Sequence, residues 1–150
     1  MRKKIALSLT AVVVATSLTA CGGTGTDAPT RMITQVTDGV DAKLASEGNL
    51  IYLRNIQVAV NEAGDASLVG TIVNQKNTKE ALLALAINQM QIKLTAIPTP
   101  QNQPVIFGGP SANAIATIPN SGLVASTRTK VSFFFGLAGT VSVDALVVNA

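Results

Sequence analysis

The chain has 150 residues, with eleven Lys and Arg against eight Asp and Glu, a single Cys and no His. That length suits one domain with one core, and the lack of His removes the commonest general base and imidazole ligand. Three of the cations, Arg2, Lys3 and Lys4, stand together at the start; the eight basic residues beyond them balance the eight acids, so no basic stripe exists for nucleic-acid phosphates.

Residues 1–20 have the parts of a secretory signal. Arg2-Lys3-Lys4 is a positive n-region, and Ile5 to Leu18 is an apolar stretch diluted by Ser8, Thr10, Thr16 and Ser17. A spanning helix needs roughly 20 apolar residues; this run is shorter and ends in Cys21-Gly22-Gly23. Leu18-Thr19-Ala20-Cys21 resembles the bacterial lipobox. That resemblance implies a diacylglyceryl group on the Cys21 sulfur and cleavage that makes Cys21 the first residue. The product would be exported and held by lipid on the outer face of the cell membrane. Two acyl chains on one glycerol meet the two-signal requirement for stable anchoring. With Cys21 the only cysteine, the mature domain has no disulfide, no free thiol nucleophile and no thiolate ligand.

Residues 21–48 read as a lipidated cysteine followed by a flexible tether. Gly22 to Thr30 offers almost nothing to bury, and its threonines are compatible with O-linked sugars. Met32, Ile33, Val36, Val40 and Leu44 have spacings that permit a short amphipathic helix, which Thr and Val weaken.

The domain is expected over 49–150. Leu50 to Val60 is β-rich, and the change of phase from Leu53 to Ile56 predicts a bulge near Arg54-Asn55. After the 61–65 turn, Ala66 to Asn74 is the next strand, followed by a polar turn to Lys79. Glu80 to Asn88 favours helix by propensity, yet its position between strands favours a buried strand, which is the expectation. Met90 to Ala96 alternates as a half-buried strand. The segment 98–110 has four prolines and two glycines and reads as a loop. Ala114 to Ile118, a weak Leu123 to Ala125, Thr129 to Phe135 and Thr140 to Val148 complete the set. Seven to nine short strands predict an all-β, immunoglobulin-like antiparallel sandwich.

Three strand texts carry a family resemblance: Ile51-Tyr52-Leu53-Arg54-Asn55-Ile56-Gln57-Val58, Leu68-Val69-Gly70-Thr71-Ile72-Val73-Asn74-Gln75, and Val131 through Val143. They resemble the LpqE-type small surface lipoproteins of actinobacteria over most of residues 49–148. That family is distantly similar to periplasmic copper chaperones, which share the sandwich and bind Cu(I) through histidines and methionines. The resemblance implies location and a fold, an antiparallel sandwich of the cupredoxin or copper-chaperone-like kind. It does not carry metal transfer over, because this chain has no His and, past the signal, only Met32 and Met90. Met90, in phase with Ile92 and Leu94, reads as a core gap-filler.

Catalytic chemistry finds little to stand on. Glu62 and Asp65 flank a turn, Glu80 follows another, Asp144 alternates outward, and there is no Gly-x-Ser-x-Gly elbow. The expectation is a non-enzymatic envelope protein with no cofactor and no metal. Its partners would be membrane lipid through Cys21 and an envelope protein or small apolar ligand. A lipid carrier and a degenerate metallochaperone are the alternatives. Candidate contact residues are Val105, Ile106 and Phe107 in the Pro-rich loop, together with Phe134. Exposed, the first three would form a sticky patch; folded back, they plug one end of the sandwich, the favoured reading. Alternation sets Phe134 opposite Phe133 and Phe135, so one ring of the three faces outward unless both faces are covered.

Overall fold

The computed structural model describes residues 38–150, which form ten strands. They are β1 (Val40–Ser46), β2 (Asn49–Val60), β3 (Ala66–Asn74), β4 (Ala81–Ile87), β5 (Met90–Ile92), β6 (Ile97–Pro98), β7 (Val105–Phe107), β8 (Thr117–Ile118), β9 (Arg128–Phe135) and β10 (Thr140–Asn149). The signal sequence, Cys21 and most of the expected tether lie outside the described residues.

Alternation writes the sheet. β3 buries every second residue from Ala66 to Asn74, and β9 turns Thr129, Val131, Phe133 and Phe135 inward. The hydrogen-bonded order is β5-β4-β9-β10-β2-β3-β7, with β1 on β2, β6 on β4 and β8 on β3. The sheet curls on itself, with β1-β2-β3-β7 and β5-β4-β9-β10 on the two sides of one core. β2 and β10 form the seam, and their pairing is the parallel one, Leu146 to Asn149 against Gln57 to Val60. Along the same edge of β2, residues 49–56 hold β1 instead. Inward side chains from both layers make one core that includes Ile51, Leu53, Ile72, Leu82, Leu85 and Phe133, all fully buried.

The bulge falls where the phase change put it. Arg54 stands opposite Thr71 and Gln57 opposite Val69, so three steps along β2 match two along β3. Asn55 takes up the extra residue with φ at +51°, a region that Asn tolerates better than most residues. Gly70 lies beneath it at φ +145°, where a Cβ would sit 2.6 Å from the Ile56 Cδ1 and 3.1 Å from the Arg54 carbonyl oxygen.

The tether expected over 21–48 ends earlier than that. Residues 40–46 are strand β1, paired with β2 from Ser46↔Asn49 to Val40↔Ile56. Their apolar spacing serves the strand: Val40, Ala42 and Leu44, two apart, pack against the core. The Asp41 carboxylate fastens the strand by accepting from the Asn55 N–H at 2.7 Å and pairing with Arg54 Nη1 at 2.7 Å. The Arg54 guanidinium in turn lies 4.6 Å from the centre of the Tyr52 ring.

Three other expectations need correcting. The alternation from Met90 to Ala96 gives strand only over Met90–Ile92, the expected Ala114 to Ile118 strand is Thr117–Ile118 alone, and Leu123 to Ala125 is not strand. In the first case the chain must drop back toward β4 so that Ile97 and Pro98 can pair with Leu82 and Ala81.

Candidate functional site

The 74–80, 98–103 and 136–139 segments meet at one end of the sandwich, and two buried polar side chains tie them together. Asn74 is fully buried at the end of β3. Its Nδ2 donates to the Thr99 carbonyl oxygen at 3.0 Å and to Thr78 Oγ1 at 3.2 Å, while its Oδ1 accepts from the Lys76 N–H at 2.9 Å. Its carbonyl oxygen takes the Asn102 N–H at 2.7 Å.

Glu80, only 3% exposed, anchors the other side. Its carboxylate accepts from the backbone N–H groups of Ala81 at 2.8 Å, Leu137 at 3.0 Å and Ala138 at 2.6 Å. The turn between β9 and β10 is thus a small anion nest filled by the chain's own carboxylate. Sequence reading placed Glu80 at the end of a turn and missed this role. Two of its three partners are 57 and 58 residues away, and no local pattern announces them.

The Pro-rich segment is not an exposed loop. Val105 and Phe107 are 5% and 1% exposed and belong to the core, with Ile106 half-buried between them. The cause is β7, which pairs with β3 from Ile72↔Val105 to Gly70↔Phe107. It tolerates its prolines because it lies at the sheet edge and all four stand outside the three-residue strand. Asn113 closes the loop: its Oδ1 accepts the Ile106 N–H at 2.7 Å and its Nδ2 donates to the Pro104 carbonyl oxygen at 3.0 Å. Val105 and Phe107 therefore turn into the core from an edge strand beside the middle of β3, which is neither an exposed patch nor a plug across one end of the sandwich.

Phe134 is the candidate that faces outward. It is 38% exposed, while Phe133 and Phe135 are buried. It pairs with Ala84 on β4 and Thr140 on β10. Beside it, Leu83 occupies an irregularity in the β4–β9 register and is 49% exposed. The Leu83 Cδ1 lies 3.6 Å from where a Cβ on Gly136 would be, which sets this side chain against the residue two beyond Phe134. Leu137, 54% exposed, follows in the turn that Glu80 holds. Leu83 and Leu137 were not singled out from sequence; a third apolar residue in a row at 83, and an apolar tip in a Gly-rich turn, were the available signals.

Two surface depressions accompany these features. A cleft of about 420 Å³ runs between residues 77–81 and Pro98, Pro100 and Gln101. An apolar groove of about 390 Å³ opens on the outer side of β3, with Ala59, Val69, Ala112 and Ile115 on its walls.

The described residues offer few donors for copper. Cu(I) takes thioether, thiolate or imidazole ligands. The chain has no His, and Met90, the one Met among the described residues, is half-buried against the core. Among the described residues no three of His, Cys, Asp or Glu gather into a metal-binding group.

The arrangement defines a class first: a cupredoxin-like β-sandwich with an apolar surface patch. Solved structures of the same fold place it further. The apo PCuAC domain from PmoF1 matches with a TM-score of 0.59 at 16% identity, covering 74% of this chain and 100% of that one. The copper-bound PCuAC domain from PmoF2 matches at 0.57 and 14%, covering 74% and 99%. The apo PmoF2 PCuAC domain gives 0.53 and 15%, covering 72% and 95%. At such identities the likeness establishes the fold. No protein-family model and no curated protein matches the sequence.

Proposed function

We propose that this protein is a non-enzymatic, lipid-anchored domain that works on the outer face of a bacterial cell membrane, as an envelope binding module of PCuAC-like fold. One observation carries the reading. A cationic n-region and an apolar run end in Leu18-Thr19-Ala20-Cys21, directly upstream of a short linker and an all-β domain. Signal, modification and tether then have a common purpose, which is to hold the sandwich at a membrane. The absence of His and of a clustered acid set among the described residues supports binding over catalysis or copper transfer.

A carrier holding an apolar ligand between the two layers is the weaker reading. Phe107, Phe133, Ile51 and Leu53 fill that space, and the apolar groove opens outside it. Mass spectrometry of protein recovered from bacterial membranes tests the main reading. The expected N-terminal peptide begins at Cys21 and carries a diacylglyceryl thioether, and a Cys21→Ser variant leaves the membrane fraction. An unmodified Cys21 thiol on a freely soluble product would overturn it.

A further inference from the structure

Five large apolar side chains are exposed among the described residues, and three of them share one corner. Leu83, Phe134 and Leu137 stand together where β4, β9 and the 136–139 turn meet. Ile115, 82% exposed, belongs to the groove beside β3. The corner is rigid, since the carboxylate of Glu80 holds the Leu137 and Ala138 N–H groups. The outward rows leading away from it carry small side chains, Ala86 opposite Ser132 and Ser132 opposite Ser142. Beyond them the face turns polar, with exposed Gln91 opposite Ala86 and the Lys130–Asp144 pair past Ser132, which bounds the apolar patch on that side.

Charge is arranged along the strands in the same sense. Lys76 and Lys79 are exposed at this end, on the turn that leads into β4. The charge of Glu80 is taken up by backbone amides, which leaves Glu47 in the β1–β2 turn as the exposed acid among the described residues here. Glu62 and Asp65 lie at the opposite end, in the turn between β2 and β3. Apolar residues beside cations match an anionic lipid surface, with apolar groups in the acyl boundary and ammonium groups over the phosphates.

The linker lets that chemistry decide. Sixteen residues, 22–37, separate Cys21 from the described domain. Fully extended they reach at most about 55 Å, against a radius of gyration of about 13 Å for a domain of this size. Every face of an anchored domain can therefore touch the bilayer, and surface complementarity selects which one does.

We propose that the Leu83–Phe134–Leu137 corner is a lipid-surface contact that seats the domain on an anionic bilayer, with Lys76 and Lys79 over the headgroups. It deepens the anchored-module reading, but its test does not depend on natural acylation. Cys21 is the only cysteine and the chain has no Trp. A chain starting at Cys21 retains every strand and core residue among the described ones. It is coupled through Cys21 to a maleimide lipid in vesicles of equal parts phosphatidylglycerol and phosphatidylcholine, with brominated or ordinary acyl chains.

With L137W as the sole indole, emission shifts to the blue and is quenched by the brominated lipid. I115W, on the groove side, is not quenched. Replacing Lys76 and Lys79 together by Glu lowers the seated-to-unseated ratio roughly tenfold or more. Equal, weak quenching of L137W and I115W on folded, vesicle-bound protein overturns the inference. So does an L137W blue shift that arises only when envelope proteins are added, because the patch then belongs to a protein partner. Loss of natural acylation would sink the anchored-module reading and leave this measurement intact.

Discussion

Glu80 shows how one side chain can hold a turn in register. Three N–H groups converge on a carboxylate that is almost fully buried. Hydrogen bonds to a charged acceptor contribute about 1.5–3 kcal/mol each, not additively, and orphaned buried donors are costly. Glu80→Ala is therefore expected to lower stability by about 3 kcal/mol or more in urea unfolding. Glu80→Gln should lose less, because its carbonyl oxygen still accepts while its amide group meets donors. Equal stability of all three proteins would show that the 136–139 turn holds without this carboxylate. Gly70 is a second sensitive point. A Cβ there meets Ile56 and the Arg54 and Asn55 carbonyls, and φ is +145°. Gly70→Ala should cost about 2 kcal/mol or more, since strain in the folded chain outweighs the entropy gain in the unfolded one. Neither role was legible in the sequence, because a carboxylate's burial and a glycine's φ are set by strands remote in the chain. The outward turn of Phe134 was legible in part, since strict alternation with Phe133 and Phe135 left one ring on the other face.

At the level of elements, the sequence read well where apolar residues alternate over a full strand and poorly where tertiary pairing decides. β3 matches its expected span, β2 its bulge, and β4 is a strand despite an Ala- and Leu-rich text that favours helix in isolation. Burial on one side of a sheet outweighs a helix preference of a few tenths of a kcal/mol per residue. β1 was hidden because its short apolar text, Val40, Ala42 and Leu44, also fits a tether or helix; only pairing with β2 gives it a role. That pairing yields a direct test of the domain boundary. A chain beginning at Asp38 should unfold cooperatively, whereas one beginning at Leu50 loses β1, uncovers the first half of the β2 edge and exposes Leu53 and Ile56 neighbours. The shorter chain is expected to aggregate or to lose several kcal/mol of stability, as bare hydrophobic edges do. Equal Tm for the two would make β1 dispensable. Within β1, Asp41→Ala should hurt more than Arg54→Ala. The exposed ion pair itself contributes about 0–1 kcal/mol, while Asp41 also receives the Asn55 N–H.

For the whole molecule, the fold and the donor set point in different directions. The sandwich superposes on PCuAC domains, one of them copper-bound, yet overall topology places no ligands by itself. A Cu(I) site needs several soft or imidazole donors at about 2.0–2.3 Å from one centre. This chain supplies Met90 from the edge of one layer, packed against the core, and Met32 from the segment upstream of β1. Two thioethers alone leave such an ion short of donors. Cu(I) titrated into the purified domain in competition with a chelator of micromolar affinity is accordingly expected to stay with the chelator. Met90→Leu should leave that result unchanged and alter stability by less than about 1.5 kcal/mol, as volume-conserving core exchanges do. Transfer of the ion to the wild-type domain at micromolar or tighter affinity, lost in Met90→Leu, would mean that the methionine belongs to a metal centre and that the core reading of β5 is wrong.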